Sequence, residues 1–161
     1  MILVAGIGNI FLGDDAFGSH VARRMIECFS ASNVRIIDFG IRGLGLAYAL
    51  TEGYDASIIV DTFARGAEAG TIYVVEPDAS EIDRAAERIE AHAMDPVRIL
   101  ALARSMGAAE LRNVRIVGCE PATFEPNEGM DLSPHVAAAV EPAIQIIQSL
   151  IEEFLPKEAI V

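Results

Sequence analysis

The chain is poor in cysteine and in basic residues and has no long apolar run, and each shortage excludes a class of protein. Cys28 and Cys119 are its two cysteines, too far apart in sequence to form a metal-binding pair or a disulfide framework. Lys and Arg total 12 against 24 Asp and Glu, a formal net charge of −12. That balance repels nucleic acid phosphates and anionic membrane surfaces, so neither is an expected partner. Hydrophobic residues make up 52% of the chain, yet charged residues, Gly and Pro interrupt them before any stretch reaches bilayer length. Met1 leads straight into strand-like sequence with no basic and apolar leader. A soluble protein of the reducing cytoplasm is the expectation. Gly-x-Ser-x-Gly, His-Glu-x-x-His and Walker A patterns are also missing, which disfavours serine hydrolases, zincins and P-loop proteins.

The 161 residues fit one domain, 1–161, large enough for a substantial core. Short β-rich runs predict strands over Ile2 to Ala5, Val34 to Asp38, Ala56 to Asp61, Thr71 to Glu76 and Asn113 to Gly118, several of them apolar enough to be covered on both faces. Helices are predicted between them. The first spans about Asp15 to Ser30, with Phe17, Val21, Met25 and Phe29 on one face. Others span Leu44 to Glu52 and Pro96 to Ser105, the latter with Asp95 as cap and Pro96 in the first turn. The last begins at Ser133 as N-cap and Pro134, continues through an apolar stripe from Val136 to Phe154, and is bent by Pro142 without ending there. The charged segment Asp78 to Ala91 reads as an exposed helix or a mobile loop. Alternating strands and helices predict a three-layer α/β/α sandwich around a mixed, mostly parallel five-stranded twisted sheet. The Asp61 to Thr71 connection is too short for a helical crossover, which makes the fourth strand the antiparallel one.

The most informative stretch is Gly6-Ile7-Gly8-Asn9-Ile10-Phe11-Leu12-Gly13-Asp14-Asp15-Ala16-Phe17-Gly18. It begins like a dinucleotide-binding loop, but Phe11 stands where the third glycine belongs, and Asp14 and Asp15 occupy the helix entrance where phosphate needs bare N–H groups. The loop suits a cation. In an open α/β sheet the ligand crevice lies beyond the carboxyl ends of the strands. Asp14 and Asp15 follow the first strand there, and Asp61 ends the third. A carboxylate in such a place needs a donor, a basic partner or a metal. The structural alternative is that one of Asp14 and Asp15 caps the helix, and that Asp61 bonds to its own loop. His92, before the Pro96 helix, is either an ordinary exposed histidine or the third member of a two-carboxylate, one-imidazole set suited to Ni²⁺ or Zn²⁺. Asp95 is a further ligand candidate, better read as a cap. His20 and His135 have adequate structural readings, and Cys119 has no visible activating base.

These segments, in this order, resemble the hydrogenase maturation proteases. The signature Gly6-x-Gly8-Asn9-x-x-x-Gly13-Asp14-Asp15-Ala16-x-Gly18, Asp61 closing the third strand, His92, Val117-Gly118-Cys119-Glu120-Pro121 and Leu132-Ser133-Pro134 carry the likeness. Where many members have Asp-Gly-Gly-Thr, this chain has Asp38-Phe39-Gly40-Ile41-Arg42-Gly43, a departure beside the expected substrate site. The resemblance implies an endopeptidase that trims the C-terminal extension of a [NiFe] hydrogenase large-subunit precursor after nickel insertion. It implies metal engagement by Asp15, Asp61 and His92, with catalytic roles for Asp15 and Asp61. The Ni²⁺ would arrive in the precursor, leaving the site empty or open to another divalent cation. A monomer is expected. Two other readings remain at this point: a non-catalytic nickel-sensing chaperone of the same precursor, and a Rossmann-like nucleotide-binding module suggested by Gly6-x-Gly8 and Asp38.

Overall fold

The computed structural model describes residues 1–87, 95–108 and 110–156. Its strands are β1 (Ile2–Ile7), β2 (Val34–Gly40), β3 (Ala56–Thr62), β4 (Ile72–Val75) and β5 (Val114–Cys119). The helices are α1 (Phe17–Cys28), α2 (Gly43–Leu50), α3 (Ala79–Ala86), α4 (Pro96–Ser105) and α5 (Pro134–Phe154). No helix among the described residues is long and apolar enough to cross a membrane.

All five strands belong to one sheet in the order β2-β1-β3-β5-β4. Neighbours pair in parallel except β4, which runs antiparallel to β5. The chain passes from β1 through α1 to β2, then returns through α2 to β3 on the other side of β1. Right-handed crossovers to opposite sides of a strand place their helices on opposite faces. Between β1 and β3 the direction of winding therefore reverses, which opens a crevice beyond the strand ends. The connection from Thr62 to Ile72 contains no helix, so the chain can only turn back, and β4 is antiparallel as the sequence predicts.

Alternate residues of the central strands feed two cores. Leu3, Ala5, Ile7, Ile59 and Ile116 pack with Leu46 and Leu50 of α2 and with Ile99 and Leu100 of α4. Ile2, Val4, Ile58, Val60 and Val117 pack with Phe17, Val21 and Met25 of α1 and Ile144, Ile147 and Ile151 of α5. Helices thus cover both faces, and the expected α/β/α sandwich is the observed one. α5 runs on past Pro142 to Phe154.

The differences from the predicted elements have local causes. β1 continues through Gly6 and Ile7, which pair with β2, Gly6 also with Val60 of β3. The first helical segment opens as a 3₁₀ turn, Gly13–Ala16, and becomes α-helical only at Phe17. β4 is shorter than expected because its ladder with β5 runs only from Ile72 to Val75. Within the charged segment α3 forms behind a capping box: Asp78 accepts from the Glu81 N–H and the Glu81 side chain accepts from the Asp78 N–H. Asp95 caps α4 by accepting from the Arg98 N–H, with Pro96 in the first turn, as predicted.

Two glycines set how closely α1 approaches the strands. A Cβ on Gly18 would collide with the carbonyl oxygens of Ile7 and Val60, and one on Gly6 with the carbonyl of Gly18. Side-chain-free contact of helix start and strand ends brings Asp14 and Asp15 down onto the crevice. Gly18→Ala should therefore destabilise the protein by about 2–3 kcal/mol, the usual cost of overpacking a rigid contact, read as a lower urea midpoint at unchanged m-value.

Candidate active site at the switch point

Asp14 and Asp15, adjacent in sequence, face different surroundings. Asp14 is fully buried. Its Oδ1 accepts from the Ser133 N–H (2.7 Å), and its Oδ2 accepts from the N–H groups of Ala122 (2.8 Å) and Thr123 (3.1 Å) and from the Ser133 hydroxyl (2.8 Å). Burial pushes its pKa up, but these bonds, Ser133 foremost, outweigh it and hold the carboxyl below its ordinary value of 3.8. The capping role expected of one of the pair is not observed. Neither the 3₁₀ turn nor α1 has a side-chain cap, because Asp14 reaches across to the segment before α5. Ser133 stands at the N-cap of α5 yet makes no capping bond, its hydroxyl being turned to Asp14.

Asp15 is half-buried. Its Oδ2 accepts from the Asn9 N–H (2.9 Å), and its Oδ1 lies 3.5 Å from the Thr62 hydroxyl at the end of β3. Gly8 makes this possible, since at φ +145° it carries no Cβ to strike the Asp15 carbonyl. Asp61, on β3, accepts the Thr62 N–H (2.8 Å). Burial pushes its pKa up to about 8; the Thr62 bond opposes this, and the negative charges of Asp15 and Asp95 add to it. Asp15, on the 3₁₀ turn that follows β1, and Asp61, near the end of β3, thus meet at the switch point, near enough for their charges to interact. No buried side-chain nitrogen or oxygen among the described residues lacks a partner. Among the described residues no basic side chain is bonded to Asp15 or Asp61.

The third proposed ligand, His92, lies outside the described residues. Among the described residues no group of three His, Cys, Asp or Glu side chains is placed to hold a metal. Asp95 keeps its capping bond and an Arg98 ion pair (3.6 Å), so its influence on Asp61 is through charge. His20 Nε2 lies 3.3 Å from the Met130 carbonyl oxygen, and His135 is exposed in the first turn of α5. Cys119 is buried, and burial, aided by the Asp14 charge, pushes its thiol up to about 11. It stays a thiol at neutral pH and offers no nucleophile.

The nucleotide reading fails on the same geometry. The Asn9 N–H, which a phosphate in this loop would need, donates to Asp15. Asp38, which would hold a ribose, instead accepts from the Ser19 hydroxyl (2.7 Å), the Arg23 Nε (2.7 Å) and the Gly40 N–H (3.0 Å).

One structural element escaped the sequence. Glu120, buried beside Cys119, accepts from the N–H groups of Arg65 (2.8 Å) and Gly66 (2.9 Å) and from the Tyr73 hydroxyl (2.9 Å). It thereby shapes the loop that leaves Asp61. Its place before Pro121 at a strand end was visible, but its partners lie 47 to 55 residues away.

The sheet order and the acidic switch point define a mixed-sheet α/β/α protein that presents carboxylates where its nucleotide-binding counterparts present N–H groups. Within that class the chain belongs to the hydrogenase maturation protease family, whose model matches residues 19–150. That span includes Asp61 and starts just after Asp15. The hydrogenase expression/formation protein HupD of Rhizobium leguminosarum bv. viciae is 33% identical over 152 residues, covering 92% of this chain and 74% of HupD. The coenzyme F420 hydrogenase subunit delta of Methanothermobacter thermautotrophicus is 33% identical over 154 residues, 91% of each chain. Among solved structures, the hydrogenase maturating endopeptidase HybD from E. coli superposes with a TM-score of 0.78 at 28% identity, over 94% of this chain and 92% of that one. The protein is a peptidase of hydrogenase maturation.

Two outcomes follow from the contrasting carboxylates. Asp14→Ala should cost about 3 kcal/mol, because four donors lose the buried carboxylate that accepts from them, and should raise amide exchange at Ala122, Thr123 and Ser133 before the rest of the fold. For Asp61, the folded protein keeps the proton up to about pH 8, whereas an unfolded aspartate releases it near 3.8. Between those values the folded state binds more protons, so stability falls as pH rises toward about 8. Asp61→Asn keeps an acceptor for Thr62 and removes that dependence. After EDTA treatment it should melt above wild type at about pH 8, with the gap closing toward about pH 4; a variant that melts lower at about pH 8 would contradict the charge strain.

Proposed function

We propose that this peptidase removes the C-terminal extension of a [NiFe] hydrogenase large-subunit precursor once nickel has been inserted, and that it does so as a single-domain monomer. The observation that carries the reading is the pair Asp15 and Asp61, half-buried on the turn after β1 and near the end of the neighbouring β3, close enough that the Asp15 charge helps keep Asp61 protonated, with no basic side chain bonded to either among the described residues. Two adjacent hard oxygen ligands, which would repel each other once both are ionised, fit a divalent cation better than a neutral or anionic group. His92 would supply the imidazole of the set.

In this reading the nickel belongs to the substrate. Engaged by Asp15, Asp61 and His92, it fixes the scissile peptide against the enzyme and supplies Lewis-acid polarisation there. The chain's own contribution is positioning. Asn9 and Thr62 orient Asp15, the Thr62 N–H orients Asp61, and Asp14 anchors the turn that carries Asp15. The rim suits a polypeptide. Phe11, Ile41, Leu44 and Tyr48 are largely exposed, and their loops are tied together by the Gly8 N–H donating to the Gly40 carbonyl (2.9 Å). Large apolar side chains left exposed on such segments suit protein–protein contact.

The test incubates the protein with nickel-loaded and nickel-free precursor and weighs the products. Loss of the C-terminal extension only from the nickel-loaded form is expected. An intact mass with both would return the protein to a chaperone role, and equal cleavage of both would remove nickel from the recognition. Asp15→Ala should fold and lose at least about a hundredfold in cleavage rate, the scale on which a misplaced reacting group is felt; normal cleavage by the folded variant would remove Asp15 from the site.

A further inference from the structure

Arg65 stands four residues past Asp61 in the loop that leaves β3. Its guanidinium carbon lies 5.0 Å from the centre of the Phe63 ring and 5.3 Å from that of Tyr73, rings that are 6.4 Å apart and tilted by 57°. Two aromatic faces restrain the planar group by cation–π attraction while the residue remains exposed. The platform beneath it is rigid. The Glu120 carboxylate, 5% exposed, accepts from the Arg65 and Gly66 N–H groups and the Tyr73 hydroxyl. The Phe63 ring lies over Gly118, where a Cβ would collide with it.

The buried acid therefore holds the main chain of the loop and leaves the guanidinium alone. Arg23, Arg24, Arg35, Arg104, Arg112 and Arg115 each pair with a carboxylate. Arg65 pairs with none among the described residues. In a chain of net charge −12, a guanidinium held in place and paired with no acid among the described residues is arranged to meet an anion from outside.

We propose that Arg65 binds a carboxylate of the substrate polypeptide close to the cut, since four residues along the chain separate its Cα from that of Asp61 by at most roughly 14 Å at about 3.4 Å per residue. The proposal rests on reading Asp15 and Asp61 as the cleavage site. A planar guanidinium fits a carboxylate with two parallel hydrogen bonds. It also offsets the repulsion that an acidic segment would meet from Asp15 and Asp61. The carboxylate comes either from an Asp or Glu side chain of the extension or from the free α-carboxylate at its end.

The experiment crosses enzyme and substrate changes. Wild type, Arg65→Gln and Arg65→Lys are assayed on three nickel-loaded precursors: unmodified, with the acidic residues of the extension changed to their amides, and with an amidated C-terminus. On the unmodified precursor Arg65→Gln should raise KM about tenfold with kcat changed less than about twofold, and Arg65→Lys should recover part of the loss. The Arg65→Gln effect should vanish on the one precursor that lacks the partner carboxylate, which identifies its source. An equal loss on all three precursors, or no loss on any, overturns the proposal. The same cross is read as binding by fluorescence anisotropy of labelled precursor. If wild type binds without cutting, the protease reading falls, while the coupling between Arg65 and the carboxylate is still decided by the binding data.

Discussion

The Asp14 carboxylate fastens the first strand-to-helix turn to segments 108 and 119 residues later in the chain. Its donors are the N–H groups of Ala122 and Thr123 after β5 and both the N–H and the hydroxyl of Ser133 before α5. Charge-assisted bonds in a dry setting are among the stronger polar interactions available to a fold. This knot fixes where α1 and α5 begin, and through them how the apolar face formed by Phe17, Val21 and Ile147 closes on the sheet. It also fixes the direction in which the next residue, Asp15, leaves the turn.

Around that knot the molecule divides its acidic residues into satisfied and unsatisfied ones. Asp14 has four donors and ionises more readily than an ordinary aspartate. Asp61 has one backbone donor and two negative neighbours, and ionises far less readily. Asp38 and Glu120 are each held by several donors and shape loops. At the switch point the Asp15 charge instead helps hold Asp61 protonated. Stability is lost there and recovered elsewhere, the usual arrangement where strain belongs to function. Arg65 is the complementary case, a cation four residues from Asp61 that stacks on two rings and pairs with no acid among the described residues.

Local signals were legible in the sequence. The stripe of Phe17, Val21 and Met25, the Asp95-Pro96 helix start, the Ser133-Pro134 start of α5 and the apolar run before Asp61 all correspond to observed elements. The helix-free Thr62 to Ile72 connection correctly implied an antiparallel β4. Reading Asp14 or Asp15 as a helix cap went astray for a definite reason. Capping is inferred from near neighbours, whereas the donors that captured Asp14 come from the far end of the chain. Glu120 went unread on the same ground.

The sequence by itself determined the strands, the helices, the α/β/α layering and the acidic character of the first turn. Periodicity, capping and charge act over a few residues and need no knowledge of the rest of the chain. Only the tertiary structure decided which acids are neutralised and which are left facing one another. It put Asp15, on the turn after β1, beside Asp61 of the adjacent β3, gave Asp14 to Ser133, and set the Arg65 guanidinium against two rings with its main chain held by Glu120. Those outcomes depend on strand order and on close backbone contact at Gly6 and Gly18, because electrostatic energy is set by distance in space and not by separation along the chain.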